Sequence, residues 1–124
     1  MHEEAQSAPL VMIVEDEAVV ALDLELTLRD EGYRVLGPVA TVATGLELLL
    51  TQRPDFAVLD FNLGGEPVTS VALQLRRMAV PFVLVSAHPK VQSGSSPAFD
   101  GVTNIGKPLD HRALLQTISA TLRH

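Results

Sequence analysis

The chain contains five short apolar runs, most of which end abruptly at a polar residue. The run Leu10–Val14 is followed directly by Glu15, and the run 56–59 is followed by Asp60. Apolar runs of this length are typical of strands that are buried on both faces of a parallel sheet. The pattern therefore predicts strands at residues 10–14, 35–36, 56–59, 82–85 and 102–105.

Segments between these runs predict helices. Residues 18–31 are rich in Leu, Ala, Glu and Asp and end before Gly32, which is a typical C-terminal stop. Thr44 and Glu47 have the spacing of a capping box, so a helix is expected to open at Thr44. The remaining predicted helices are residues 68–78 and residues 112–122, the second with Asp110 as its cap.

The first predicted helix carries two apolar stripes. Val20, Leu24 and Leu28 follow one another at helical spacing, and Leu22 and Leu26 form a second stripe that is separated from them on the helical wheel. If the first stripe faces the sheet, the second stripe faces outward.

The order of elements predicts an α/β fold. Strands that alternate with helices favour a doubly wound, five-stranded parallel sheet with helices on both faces. Residues 90–100 include the run Ser-Gly-Ser-Ser-Pro, so the helix before the last strand is expected to be short or disordered. We expect residues 1–8 to form a disordered tail and residues 9–124 to form the domain.

Composition and charge exclude several classes of function. The 124 residues include no cysteine, which excludes disulfides, thiolate zinc sites and cysteine catalysis. Fifteen acidic and nine basic residues give a net charge of −6, which disfavours a nucleic-acid-binding surface. No apolar run approaches the roughly 20 residues that span a bilayer, and the N-terminus does not resemble a signal peptide. We therefore expect a cytoplasmic domain with no nucleic-acid or membrane partner.

Polar residues at the ends of the predicted strands suggest a reaction. They are Glu15, Asp16, Asp60, Ser86 and Lys107. The carboxyl ends of parallel strands form the ligand crevice of such a sheet. Carboxylates gathered there repel one another unless a cation joins them, and oxygen ligands favour Mg²⁺. A carboxylate beside Mg²⁺ can attack a phosphoryl group whose oxygens a lysine and a hydroxyl hold. The pattern therefore indicates Mg²⁺-dependent phosphoryl transfer.

Four segments resemble the receiver domain of two-component response regulators. They are VMIVEDE at residues 11–17, VLD at 58–60, LVSA at 84–87 and GKP at 106–108. The resemblance covers essentially all of residues 10–122, and it implies a flavodoxin-like sheet with the strand order 2-1-3-4-5.

The resemblance implies a role for each acidic residue of the site. Asp60 is the expected phosphoacceptor, which receives its phosphoryl group from a phosphohistidine on a sensor histidine kinase or a phosphotransfer protein. Asp16 is expected to ligate Mg²⁺ directly and Glu15 through a water molecule. Asn62 is expected to contribute its backbone carbonyl.

The same resemblance implies roles beyond the metal ligands. Lys107 is expected to pair with the phosphoryl group, and Ser86 to move towards that group on activation. The bond between Lys107 and Pro108 is expected to be cis, an isomer that bonds preceding proline adopt at modest cost. His88 is a candidate for tuning autodephosphorylation.

Other positions depart from the usual family pattern. Asn104 stands where most members carry an aromatic switch residue, so it is a second candidate for tuning. Residues 60–66 and 81–88 resemble a subgroup with a Pro-Phe-x-Phe-x-Thr-Gly-Tyr signature, although Ser-Ala-His stands here in place of Thr-Gly-Tyr. Many members of that subgroup are stand-alone receivers and are associated with sensor kinases of the HWE or a related class.

The outward stripe of the first helix is a candidate docking surface. In the family, this helix helps to dock the helical hairpin of the kinase. Leu22 and Leu26 would supply an apolar contact for it, unless the helix simply buries both leucines.

The sequence thus predicts a single-domain response regulator. It would signal by protein contacts or act as a phosphate intermediate or sink, and it would catalyse only its own phosphorylation and dephosphorylation. One alternative is a pseudo-receiver that binds partners without phosphorylation. Another is a haloacid-dehalogenase-type phosphatase with Asp60 as its nucleophile, but Asn62 stands where that chemistry needs an acid. The acidic turn after the first strand excludes a dinucleotide-binding fold.

Overall fold

The five predicted strands form one parallel sheet. A computed structural model describes residues 8–87 and 97–123. Neighbouring strands pair in the order β2-β1-β3-β4-β5, all in parallel, which confirms the predicted α/β fold and its 2-1-3-4-5 order. The strands are β1 (Leu10–Val14), β2 (Arg34–Val39), β3 (Phe56–Asp60), β4 (Phe82–Ser86) and β5 (Asn104–Gly106).

Helices cover both faces of the sheet. In the described residues, the α-helices are α1 (Ala18–Asp30), α2 (Val42–Leu49), α3 (Thr69–Arg77) and α4 (His111–Leu122). Helices α1 and α4 bury their apolar residues on one face, and α2 and α3 bury theirs on the other. Successive residues of β1 alternate between these two cores, with Val11 in one and Met12 in the other. Both faces of the strand are therefore apolar, as its sequence predicts.

Helix α2 begins earlier than predicted. The capping box expected at Thr44 is wrong, because the Oγ1 atom of Thr41 accepts the hydrogen bond from the Thr44 backbone amide at 3.1 Å. Thr41 is therefore the N-cap, and Val42, the first helical residue, is buried against the sheet. By contrast, the predicted cap of α4 is confirmed, since the Oδ1 atom of Asp110 accepts from the Ala113 amide at 3.1 Å.

Strand β2 is longer than predicted and irregular. It continues through Gly37 and Pro38, and its register with β1 shifts between Met12 and Val14. Gly37 has a φ of +95°, and a Cβ at this position would lie 2.9 Å from the backbone oxygen of Ile13. Only glycine fits this conformation and this approach.

A small hairpin that the sequence did not predict joins β3 to α3. Residues Asn62–Leu63 pair in antiparallel fashion with Glu66–Pro67. Gly64 and Gly65 form its turn with φ values of +57° and +93°, a region that glycine enters without steric cost. The hairpin places Asn62 directly beside the end of β3.

The segment before β5 is anchored to α3. Residues Pro97–Phe99 form a turn of 3-10 helix, and the Nε atom of Arg76 donates to the Ala98 carbonyl at 2.7 Å. The same guanidinium also donates to the Asp100 carbonyl. Strand β5 begins only at Asn104, two residues later than predicted.

Some predictions fall outside the described residues. Residues 1–7, which make up most of the predicted tail, lie there, and so do residues 88–96 with most of the helix-breaking segment. The expected tuning residue His88 belongs to this group. None of the helices within residues 8–87 and 97–123 is long and apolar enough to cross a membrane.

Candidate functional site

Strand pairing brings the predicted site residues to one edge of the sheet. Asp60, the last residue of β3, pairs with Val85 on β4, and Ser86, the last residue of β4, pairs with Gly106 on β5. The Lys107 amide donates to the Ser86 carbonyl at 3.0 Å. The carboxyl ends of three neighbouring strands thus lie side by side, as expected for a parallel sheet.

Three carboxylates gather at this edge. Glu15, Asp16 and Asp60 each offer an oxygen, and the three atoms lie within 4.8 Å of one another. Glu15 and Asp60 are only 2% and 7% exposed, whereas Asp16 lies at the surface. The buried Oε1 atom of Glu15 accepts no hydrogen bond within the described residues. A set of oxygens with one open side and an acceptor that lacks a hydrogen bond fits Mg²⁺, which keeps several waters of its own.

The electrostatics of the cluster favour a cation. Burial is the largest of the effects that together raise the pKa of Glu15 to about 7, and the neighbouring Asp60 contributes to this rise through a hydrogen bond and through its charge. Keeping both carboxylates ionised is therefore costly in the protein alone. A divalent cation would stabilise the ionised forms of both groups.

Lys107 is the cationic partner of the cluster. Its Nζ atom lies 2.6 Å from the Oε1 atom of Glu17, 3.3 Å from the Oδ2 atom of Asp60 and 3.4 Å from the Oε1 atom of Glu15. Burial alone would lower the pKa of this ammonium group. The hydrogen bond with Glu17 and the charges of the two buried carboxylates outweigh that effect and raise the pKa above its ordinary value. Lys107 therefore stays charged at any physiological pH.

The remaining predicted residues lie on β4 and β5 or directly after β3. The backbone amide of Asn62 donates to the Oδ1 atom of Asp60 at 3.3 Å, which helps to fix the orientation of that carboxylate. Ser86 is buried at the end of β4, next to β3. Asn104 is half-buried at the start of β5, where it pairs with Leu84. The roles assigned to these residues stay predictions.

The outward stripe of α1 lies where the pattern predicts. Leu24 and Leu28 are buried, whereas Leu22 and Leu26 are 55% and 58% exposed. The alternative that the helix buries both stripes is therefore wrong. A groove of about 330 Å³ runs beside Leu22 to the acidic cluster at Asp16.

Sequence reasoning missed two contacts of the site. Glu17 carries the shortest ion pair of Lys107, from which it is separated by 90 residues. Phe61, which follows the predicted phosphoacceptor, packs its ring against Phe99 with 5.2 Å between ring centroids. The acidic run Glu-Asp-Glu shows only that Glu17 is charged, and nothing local in the sequence indicates the partner in either contact.

Comparisons with known proteins agree with this geometry. Residues 11–119 match the response regulator receiver domain. The chain is 36% identical over 120 residues to the transcriptional regulatory protein AfsQ1 of Streptomyces coelicolor, covering 93% of this chain and 52% of that protein. It is 38% identical over 122 residues to the sensory transduction protein RegX3 of Mycobacterium tuberculosis, covering 91% and 50%.

One solved structure is similar to this chain over nearly the whole length of both proteins. The solution structure of the PhyR response regulator REC domain of Erythrobacter litoralis superposes with a TM-score of 0.81 at 26% identity, covering 95% of this chain and 92% of that one. The chain spans about half the length of the curated relatives named above. By sequence match and by fold, the chain belongs to the family of response regulator receiver domains.

Proposed function

We propose that this receiver domain accepts a phosphoryl group on Asp60 in a Mg²⁺-dependent reaction. The observation that carries the proposal is the position of the Asp60 carboxylate, which lies close to two further carboxylates and to the ammonium group of Lys107. Membership of the family makes a histidine kinase or a phosphotransfer protein the expected donor, and the HWE class or a related class is our specific proposal.

The side chains suit such a transfer. A carboxylate oxygen of Asp60 would form a bond to phosphorus while the bond from phosphorus to the donor's histidine nitrogen breaks. Lys107, already 3.3 Å from the Oδ2 atom, would pair with a phosphoryl oxygen. Ser86 offers a hydroxyl at the end of the neighbouring strand.

The acidic residues would hold the metal ion. Asp16 and Asp60 are proposed as direct ligands, Glu15 as a ligand through water, and Asn62 as a ligand through its carbonyl. When bound, Mg²⁺ would neutralise negative charge on the phosphoryl oxygens. The buried Oε1 atom of Glu15 supports this assignment, because it accepts no hydrogen bond within the described residues and has only an ion pair with Lys107 at 3.4 Å.

The proposed output is non-catalytic. The domain would act in the cytoplasm, through protein contacts or as an intermediate or sink for phosphoryl groups. It would catalyse only its own phosphorylation and dephosphorylation. Asn62 supplies no carboxylic acid to protonate a leaving group, so the phosphatase alternative has no support in the chemistry of the site.

Incubation with acetyl phosphate tests the proposal. We expect intact-mass spectrometry to show one phosphoryl adduct per chain in Mg²⁺ and none when Mg²⁺ is chelated, because the clustered carboxylates repel the donor without a cation. Peptide mapping should place the adduct on Asp60. Absence of an adduct in Mg²⁺ would overturn the proposal and favour a pseudo-receiver.

A second prediction concerns donor docking. Replacing Leu26 with aspartate should slow phosphotransfer from a cognate kinase at least about tenfold, because a charge would enter an apolar contact. Phosphorylation by acetyl phosphate should be unchanged, since Leu26 lies outside the acidic cluster.

Leu50→Asp is the matched control for this variant. Leu50 is a leucine at the end of α2 that is 82% exposed, and its replacement should leave both donors unaffected. Equal losses with the kinase and with acetyl phosphate in Leu26→Asp would contradict docking at this stripe, as would an equal slowing by Leu50→Asp.

A further inference from the structure

The closest partner of Lys107 is not the proposed phosphoacceptor. Its Nζ atom lies 2.6 Å from Glu17 but 3.3 Å from Asp60. Charge-assisted hydrogen bonds between nitrogen and oxygen typically measure about 2.7–2.9 Å. The contact with Glu17 is therefore a close hydrogen bond, whereas the contact with Asp60 is looser.

Helix capping does not explain the position of the Glu17 side chain. Glu17 is the N-cap residue of α1, where Ser, Thr, Asp and Asn are preferred, yet its side chain makes no capping hydrogen bond. The side chain instead reaches across the edge of the sheet to the residue that follows β5. Its backbone amide donates to the Oε2 atom of Glu15 at 3.1 Å, which ties this turn to the acidic cluster.

We propose that Glu17 is a positioning residue that competes with the phosphorylated Asp60 for the ammonium group of Lys107. In the unphosphorylated protein, Glu17 holds this group. On phosphorylation, the ammonium group exchanges Glu17 for a phosphoryl oxygen. Glu17 thereby shifts the equilibrium towards the unphosphorylated form. This inference rests on the proposed phosphorylation of Asp60.

Two physical effects of Glu17 act in the same direction. Phosphorylation replaces the single charge of the Asp60 carboxylate by a phosphoryl group that carries up to about two negative charges, and Lys107 must leave its hydrogen bond with Glu17 to neutralise them fully. Lys107 contacts both Glu17 and Asp60, so the charge of Glu17 also lies near the incoming group and repels it. Glu17 is 61% exposed, so solvent weakens both effects without removing them.

The binding of beryllofluoride, a phosphoryl mimic, tests the inference. We expect Glu17→Gln to bind beryllofluoride about two- to fivefold more tightly than the wild type, the range that corresponds to an exposed ion pair. Affinities would be measured from backbone amide NMR shifts at saturating Mg²⁺, so that altered metal binding does not contribute.

The matched control is Glu25→Gln. Glu25 lies on the same helix and pairs with Arg29 at 3.0 Å. Its replacement removes the same charge without touching Lys107, and the affinity for beryllofluoride should stay at the wild-type value. An equal gain in Glu25→Gln would assign the effect to net charge and overturn the role of Glu17.

A double-mutant cycle provides a readout specific to the pair. In a Lys107→Met background, Glu17→Gln should tighten beryllofluoride binding less than it does in the wild type, because no ammonium group remains to be released and only the charge repulsion by Glu17 is removed. In chelator, the same four proteins should show energetic coupling between the two residues in urea unfolding.

The outcomes separate this inference from the proposed function. If the wild type fails to bind beryllofluoride in Mg²⁺, both proposals are overturned. If the wild type binds it and Glu17→Gln binds it equally or more weakly, only the competing role of Glu17 is overturned.

Discussion

Replacing Asp60 with asparagine should abolish the phosphoryl adduct and, at the same time, stabilise the metal-free protein. The adduct is lost because the neutral amide cannot act as the nucleophile. Stability rises because Asp60 is a nearly buried carboxylate next to Glu15, whose pKa is raised first by burial and then by Asp60 itself. Removing one charge of this cluster relieves repulsion, and we expect the free energy of unfolding to rise by about 1 kcal/mol.

Lys107 does not reverse the sign of this effect. It loses one carboxylate partner in Asp60→Asn but keeps Glu17 and Glu15 within 4 Å. Urea unfolding in chelator measures the stability, and intact-mass spectrometry after incubation with acetyl phosphate measures the adduct. Asp30→Asn, an exposed change at the end of α1, is the control and should alter neither. A persisting adduct in Asp60→Asn would refute Asp60 as the phosphoacceptor.

Replacing Gly37 with alanine should destabilise the fold by about 3 kcal/mol or more. The added Cβ would lie 2.9 Å from the Ile13 oxygen and 2.9 Å from the Val39 nitrogen, and both are backbone atoms that cannot rotate away. The positive φ of +95° adds strain for any residue with a side chain. Thermal unfolding should show a melting temperature lower by roughly 10 °C or more.

Gly32 provides the matched control for this clash. It has nearly the same φ, +94°, but an added Cβ would meet no atom within 4 Å. Gly32→Ala should therefore cost only the conformational penalty of about 1–2 kcal/mol. If both variants lost the same stability, the close approach of β2 to Ile13 would not contribute to the destabilisation, and the prediction would be wrong.

The central strands were predictable from the sequence because both of their faces are buried. Strands β1 and β3 lie between the two cores, so each contains an unbroken apolar run, and a polar residue marks the end of that run. The polar residue that ends each run, Glu15 or Asp60, also lies at the functional edge. The same signal therefore located both the strands and the predicted site.

Positions where local signals compete were harder to predict. Gly37 and Pro38 are typical turn residues, yet at the edge of the sheet they lie within β2, since an outer strand tolerates an irregular backbone. Thr41 and Thr44 are both plausible caps by residue type. Burial of Val42 in the tertiary core decides between them, and sequence spacing alone does not show this burial.

Side-chain contacts between distant segments were not predictable. The ion pair of Glu17 with Lys107 joins the start of α1 to the end of β5, so it exists only once the sheet has formed. An acidic residue at a helix start is well explained by the helix dipole alone. The pairing of Glu17 with Lys107 is therefore visible only in the folded structure.

The irregular β2 also bears on how the sheet resists pairing with another molecule. An outer strand with unpaired backbone groups can template the addition of a strand from another molecule. Here Pro38 lacks an amide to donate, and the register shift at Gly37 bends the strand away from a regular ladder. At the opposite edge of the described sheet, β5 is only three residues long. Both edges of the described sheet are thus poor templates for the addition of a strand from another molecule.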